Sequence, residues 1–373
     1  HIESKKKLKT FKTSFRAILM DNLYTIIKHY EGKTFRPHFG KDPTPRGYWN
    51  MFKGYRHEPY TDDEMTALEG DVEFMERIGL IHSAWRDNLC NGNLGYYTYL
   101  MNWQAFLIQC GYKKLTTFPV MSSKPGVGKN LMWELFLGDG IIGKNQYAVV
   151  ANMRAFQKVF NDMRLNKCLT FINKCTSILS GERVNHDMIK SLTDKKFRCE
   201  MKYKTAYIAE DVAGYVFLSN NGIPVLIESH YRRFAPIYCS KRWCKAYVDK
   251  TDPTYHKQLL IAIRDERVQR WYFTWLTKMD ISKWDQTDIP STKAKTEMKQ
   301  KQPFFNVLAY LQDVVSGAFG EEWYTEYDNL KKCWWGNPII RDGYANWCRV
   351  NGYKKKTLSR LGGTQGPFAG GWT

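Results

Sequence analysis

The chain has 373 residues, 43% of them hydrophobic, which is enough for two or three domains with real cores. A formal net charge of +19 and an aromatic share of 15%, with 13 Trp and 23 Tyr, point to a polyanionic partner, since such an excess repels itself in a compact chain. No apolar run reaches the ~20 residues of a membrane helix, the nine cysteines form no Cys-x-x-Cys pair, and the eight histidines are dispersed, so a membrane span, a disulfide framework and a zinc site are excluded and a soluble, intracellular chain with reduced thiols is expected.

The opening segment sets Lys5, Lys6, Lys7, Lys9, Lys12 and Arg16 around Leu8, Phe11 and Phe15, then turns apolar through Ile18, Leu19, Leu23, Ile26 and Ile27. A basic amphipathic helix of this kind suits a DNA-facing surface or a plain solvated face. Phe35 to Pro45, rich in Gly and Pro, predicts a loop, and Tyr48 to Tyr55 an aromatic turn. Helices are predicted from Asp62 to Ile78, with Gly79 as the stop, and from Tyr96 to Cys110.

A short apolar strand, Phe118 to Met121, leads into Ser122-Ser123-Lys124-Pro125-Gly126-Val127-Gly128-Lys129-Asn130, and helical spacing resumes through Leu131, Met132, Trp133, Leu135 and Phe136. Strand, glycine turn and Gly-Lys at the mouth of a helix form a phosphate cradle: backbone N–H groups aim at phosphate oxygens and the lysine adds a point charge. Two positions depart from the usual pattern: Ser123 stands for the first glycine, and Asn130 for the Ser or Thr that holds Mg²⁺. An ordinary Gly/Pro turn is the plainer reading of the stretch taken alone.

Tyr147 to Val150 predicts a strand, Phe156 to Met163 a helix, and Cys168 to Ile172 a buried strand. Such a strand in a nucleotide hydrolase ends in acidic residues, one for Mg²⁺ and one to activate water; here Asn173 and Lys174 occupy those places. A helix closes over Ile189 to Thr193. From Phe197 to Tyr207, Lys202 and Lys204 alternate with Met201, Tyr203 and Tyr207, a hairpin pattern that suits a phosphate backbone or a merely exposed basic hairpin. Tyr215 to Leu218 is a strand ending in Ser219-Asn220-Asn221, and Tyr231-Arg232-Arg233-Phe234 precedes another.

This ordered set resembles the superfamily 3 helicases, AAA+-type ring ATPases of viruses and mobile elements, and among them the poxvirus-type and phage primase-helicases. Trp49 to Tyr55, Tyr99 to Trp103 and Ile289 to Lys295 add to the likeness. The resemblance implies an α/β fold: a P-loop AAA+-like ATPase core over 113–247, with a helical collar over 1–112, a helical lid and linker over 248–300, and a winged-helix-like DNA-binding end domain over 301–373. It implies ATP and Mg²⁺ as cofactors, with Pro125, Gly126, Val127, Gly128, Lys129, Asn130 and Leu131 around the nucleotide and Asn130 and Asn173 toward the metal. Asn220 becomes the γ-phosphate sensor, Arg232 or Arg233 the arginine finger, and Lys202 and Lys204 the pore grip on single-stranded or forked DNA.

Lys174 is neither a base nor a metal ligand, because an ammonium only donates. Two readings therefore stay open: a hexameric ATP-dependent DNA helicase of viral, phage or mobile-element replication, and a hydrolysis-deficient DNA-binding ring or scaffold. Glu182 and Asp187 are the nearest substitute carboxylates in sequence. An RNA-directed helicase is a third reading. A start at His1 rather than Met fits a fragment with a primase-polymerase domain upstream.

Downstream, Val268 to Trp284 predicts a helical lid, Lys293 to Lys301 a Lys-rich linker, and Phe304 to Val315 and Ile339 to Val350 helices. The Tyr344-x-x-Trp347-Cys348 stretch resembles a viral primase end domain, with Lys354, Lys355 and Lys356 set to meet DNA and Gly362 to Thr373 a Gly-rich tail.

Overall fold

The computed structural model describes residues 30–151, 161–173, 191–220, 233–244, 252–297, 310 and 338–350. Its centre is a five-stranded sheet of β3 (Phe118–Ser122), β4 (Tyr147–Val150), β5 (Leu169–Asn173), β8 (Gly214–Ser219) and β9 (Phe234–Tyr238). The spatial order is β4-β5-β8-β3-β9, and every pairing is parallel. Parallel strands covered on both faces need apolar residues at every position, which is why β3 (FPVMS) and β8 (GYVFLS) are buried throughout.

Helices cover this sheet. Residues Asp62–Glu69 form α1 and Val72–Ser83 form α2, which runs on as a π-type turn over Ala84–Leu89. One helix predicted from Asp62 is thus two. Gly70 closes α1, and Asp71 starts α2 by accepting the Phe74 N–H at 3.1 Å, so Gly79 lies inside a helix instead of ending one. A reciprocal Thr61–Glu64 cap fixes the start of α1. Next, α3 (Leu94–Gln109) is capped by Asn93 and buried along most of its length. Its Trp103 lies against β8 so closely that a Cβ on Gly214 would sit 2.8 Å from the indole. Trp133 joins Trp85 (5.0 Å between rings), Trp103 (6.1 Å) and Phe171 (6.2 Å) in the aromatic centre of the core.

The lid stretch predicted from Val268 to Trp284 is helical only over Glu266–Lys278 (α6), because Asp265 caps its start and turns replace it after Lys278. It is preceded by α5 (Tyr255–Arg264), which the sequence reading missed. The linker predicted from Lys293 begins as helix over residues 293–297, since Thr292 accepts the Lys295 N–H at 3.1 Å as a cap. A further helix, α7, spans Pro338–Val350. Two short ribbons complete the fold. In one, β1 (Gly32–Thr34) runs parallel to β2 (Tyr48–Asn50), where only loop and turn were expected. In the other, β6 (Lys196–Cys199) and β7 (Tyr207–Glu210) form the expected antiparallel hairpin.

The hairpin is held at its base by buried charges. Asp211 accepts from Lys114 Nζ at 2.8 Å, from Arg164 Nε at 3.0 Å and from the Tyr215 hydroxyl at 2.7 Å. Thr34 and Arg36 of the first ribbon donate to Glu210 at 2.6 and 3.1 Å. The seven described cysteines are free thiols, and no described helix is long and apolar enough to cross a membrane.

Candidate nucleotide site and nucleic-acid surface

In a parallel sheet of this kind ligands gather at the carboxyl ends of the strands. At those ends the turn after β3, Asn173 of β5 and Asn220 after β8 come together. The Ser123 N–H donates to the Ser219 carbonyl at 3.1 Å, so the turn leaves the sheet in register with β8. Gly126 and Gly128 hold φ values of 84° and 90°, a left-handed backbone that side chains resist, and this curls the turn back over the mouth of α4 (Leu131–Ile142). The first helical bond, Met132 N–H to the Gly128 carbonyl at 3.1 Å, runs the turn straight into that helix. Asn88 anchors the turn from below: its buried side-chain amide donates to the Val127 carbonyl at 2.6 Å, and its backbone carbonyl accepts the Ser240 N–H at 2.9 Å.

Lys129 is only 5% exposed. Its ammonium donates to Ser123 Oγ and, at 3.0 Å, to Asn220 Oδ1. Both partners are neutral oxygens, and among the described residues no carboxylate pairs with it. Burial pushes the Lys129 pKa down from the usual lysine range. A buried cation with no counter-charge is costly, and an anion entering the cradle removes that cost.

One turn along α4, Glu134 accepts from the side-chain amides of Asn130 and of Asn173, the latter at 2.8 Å. The two asparagines expected near a metal are therefore neighbours, joined by a carboxylate that the sequence reading did not single out. The signal was present: Glu134 is four residues beyond Asn130 on a helix and so shares its face. Oxygen donors of this kind suit a hard divalent cation such as Mg²⁺.

A cavity of about 800 Å³ opens beside the turn, lined by Ser123, Lys124, Asn220, Ser240, Lys241 and Arg242 among others, a size that fits a nucleotide-sized ligand. Its far wall is residues 292–297, held to β9 where Thr292 donates to the Pro236 carbonyl at 2.6 Å and Tyr238 to Glu297 at 3.0 Å.

Of the remaining predicted residues, Val127 is buried, Leu131 is half-buried, and Pro125, Gly126 and Asn130 are exposed. Arg233 precedes β9, where its carbonyl accepts the Phe118 N–H at 2.7 Å. It therefore lies at the amino end of the sheet, roughly 15 Å from the phosphate turn at ~3.3 Å per strand residue. Lys202 and Lys204 stand exposed at the tip of the β6–β7 hairpin, flanking Tyr203, which is 91% exposed. Lys174, Arg232, Lys354, Lys355 and Lys356, with Glu182 and Asp187, lie outside the described residues, as do the helix predicted through Ile18 and most of those predicted through Phe156 and Phe304.

A second basic and aromatic surface was not foreseen. Trp49 of β2 is 40% exposed, stacks at 6.2 Å on Tyr30, and carries the ammonium groups of Lys53 at 4.7 Å and Lys33 at 5.7 Å over its ring. Neither lysine has an acidic partner among the described residues.

Residues 120–233 match a family described as a family of unknown function (DUF5906), a stretch running from β3 to the start of β9. No curated protein matches. Among solved structures, the A-form apo structure of the NrS-1 C-terminal region aligns with a TM-score of 0.54 at 17% identity, covering 93% of this chain and 83% of that one. The fold is like that of the NrS-1 C-terminal region. A second apo structure of that region gives a TM-score of 0.53 at 17% identity over 96% of this chain and 86% of that one. A JCV helicase bound to a substituted acetamide aligns at a TM-score of 0.35 and 11% identity over 70% and 67% of the two chains. At these identities the likeness speaks for fold alone. The α/β core with a parallel central sheet that the superfamily 3 resemblance implies is observed.

Proposed function

We propose that this chain is an ATP-driven motor of the helicase type, acting on single-stranded or forked DNA in the replication of a virus, phage or mobile element. The observation that carries the reading is Lys129, a buried ammonium at the end of a glycine turn whose partners among the described residues are neutral oxygens. In this reading Gly128 and Lys129 hold the β- and γ-phosphates, Asn220 contacts the γ-phosphate, and Asn130 and Asn173 stand toward Mg²⁺. A bound Mg²⁺ would neutralise phosphate charge during transfer.

Arg233 is at the wrong end of the sheet to serve the site of its own chain, so an arginine finger at 232 or 233 must come from a neighbouring copy. That requirement favours a ring, a hexamer in our reading, in which each site is completed by the next subunit. Such a finger is worth about 10³- to 10⁵-fold in rate in related enzymes. Lys202, Tyr203 and Lys204 at the hairpin tip grip the strand, Trp49 offers a stacking face, and Lys354, Lys355 and Lys356 add a further DNA contact beyond the core.

One observation favours a second reading, a nucleotide-binding ring or scaffold without hydrolysis: β5 ends in the amide of Asn173 where a hydrolase presents a carboxylate. Phosphate release from ATP, with and without single-stranded DNA, separates the two. DNA-stimulated release that is lost in Lys129→Ala supports the motor; ATP binding without release supports the scaffold. Competition by RNA oligonucleotides as strong as by DNA would move the substrate to RNA.

A further inference from the structure

Two unbalanced charges meet at the carboxyl edge of the sheet. Lys129 is buried without an anion, and Glu134, half-buried one turn further along α4, has no cationic side chain paired with it among the described residues. Glu134 instead accepts amide protons from Asn130, the residue after the phosphate-loop lysine, and from Asn173, the last residue of β5. An amide that donates through its nitrogen keeps its carbonyl oxygen as an acceptor. The three side chains thus gather two neutral oxygens and one full negative charge beside the phosphate loop, on the two elements that flank the triphosphate in the reading above.

We propose that Glu134 is the anionic ligand for a divalent cation bound with a nucleoside triphosphate, supplying from helix α4 the carboxylate that the end of β5 lacks. Asn130 and Asn173 hold the Glu134 carboxylate in place and complete the oxygen set. A small hard cation keeps several of its waters and needs only one or two carboxylates besides phosphate oxygens, so a single glutamate is sufficient. Lys129 neutralises the phosphates from one side while the Glu134-bound cation does so from the other.

This inference rests on the nucleotide reading, and the test separates the two. Mn²⁺ serves as the probe, its free concentration read by electron paramagnetic resonance in the presence of a non-hydrolysable ATP analogue. Binding of the same analogue in EDTA is measured by calorimetry. Glu134→Gln keeps an oxygen to accept both amide protons but loses the charge. It is expected to weaken Mn²⁺ binding at least about tenfold, with melting temperature and metal-free analogue binding unchanged. Glu134→Gln combined with Asn173→Asp is expected to recover much of the loss, because the charge returns at the end of β5. Should Glu134→Gln melt early, Glu134→Asp carries the test, since it changes the length yet keeps the charge and must hold Mn²⁺ more tightly than Glu134→Ala. Wild-type Mn²⁺ affinity in Glu134→Gln overturns the proposal while leaving the nucleotide reading intact. A wild-type chain that binds no analogue, with or without metal, overturns both.

Discussion

Lys114 and Lys129 stand at opposite ends of β3, each only 5% exposed, yet they are balanced in opposite ways. Lys114, before the strand, donates to Asp211 at 2.8 Å and to the Ala213 carbonyl at 3.0 Å, while Arg164 and Tyr215 complete the same carboxylate. Its surroundings are closed and its charge is answered. Lys129, after the strand, meets Ser123 and Asn220 among the described residues, on a glycine turn beside an open cavity. The same residue type, equally buried, is answered by a built-in carboxylate at one end and by neutral oxygens at the other. The amino edge of the sheet fixes the hairpin; the carboxyl edge, in our proposal, receives an anion.

Breaking the closed cluster should have the largest effect on stability. Lys114→Ala removes two buried hydrogen bonds while leaving Arg164 and Asp211 paired one to one, and is expected to cost about 1.5–3 kcal/mol in denaturant unfolding. A loss under about 1 kcal/mol would mean that water already reaches the cluster. Lys129→Ala should behave in the opposite manner. It removes an unanswered buried cation, so the midpoint of unfolding holds or rises, while triphosphate affinity falls roughly 10- to 100-fold, the scale of a charged hydrogen bond of about 1.5–3 kcal/mol. Equal stability losses in the two variants would erase the distinction between the edges.

Acidity offers a finer comparison. Burial brings the Lys114 pKa down to about 8, against the usual 10.5. Between those values the unfolded chain holds the proton and the folded one does not, so stability gains with rising pH in this window. The gain is read as the difference between wild type and Lys114→Met from about pH 8 to 9.5, because the buried thiols Cys90, Cys168 and Cys239, whose pKa burial raises, lower stability over the same window in both chains. At Lys129 the lowered pKa acts on ligand binding instead. Triphosphate affinity should begin to fall with rising pH before the ordinary lysine range is reached, and Lys129→Arg should remove that decline, since guanidinium keeps its proton.

How much of this was legible in the sequence follows from how local each signal is. Continuous apolar runs announced β3, β5 and β8, and the Gly126–Gly128 stretch announced the turn between β3 and α4, because these depend on neighbours in the chain. The hairpin was legible in its alternation, although its lysines proved to be at the turn and not along the strands. The Lys114–Asp211–Arg164 cluster was not visible, since its members are 47 to 97 residues apart and only the fold joins them. The break at Gly70 was hidden because apolar spacing continues across it and only the Asp71 cap reveals the new start. The pairing of Glu134 with Asn173 was not legible because the two lie 39 residues apart and only the fold brings α4 against the end of β5. The β1–β2 ribbon was too short, at three residues per strand, to register as more than a turn.

The smallest expected effects are on the nucleic-acid surface. Trp49→Ala should weaken single-stranded DNA binding by about 1–3 kcal/mol if a base stacks there. Lys202→Ala should lower the salt dependence by roughly 0.7 in the log–log slope, one phosphate contact on a single strand. If Trp49→Ala changes nothing and Lys202→Ala does, DNA runs past the hairpin alone.

The most direct measurement is calorimetric titration of the wild-type chain and Lys129→Ala with ATP and with inorganic triphosphate. A cradle built around an unanswered lysine predicts one site per chain for both ligands in the wild type, weakened by salt and nearly lost in the variant, with folding intact. Unchanged affinity in Lys129→Ala, or a wild type that takes up neither ligand, would contradict the central claim that this lysine is placed for phosphate.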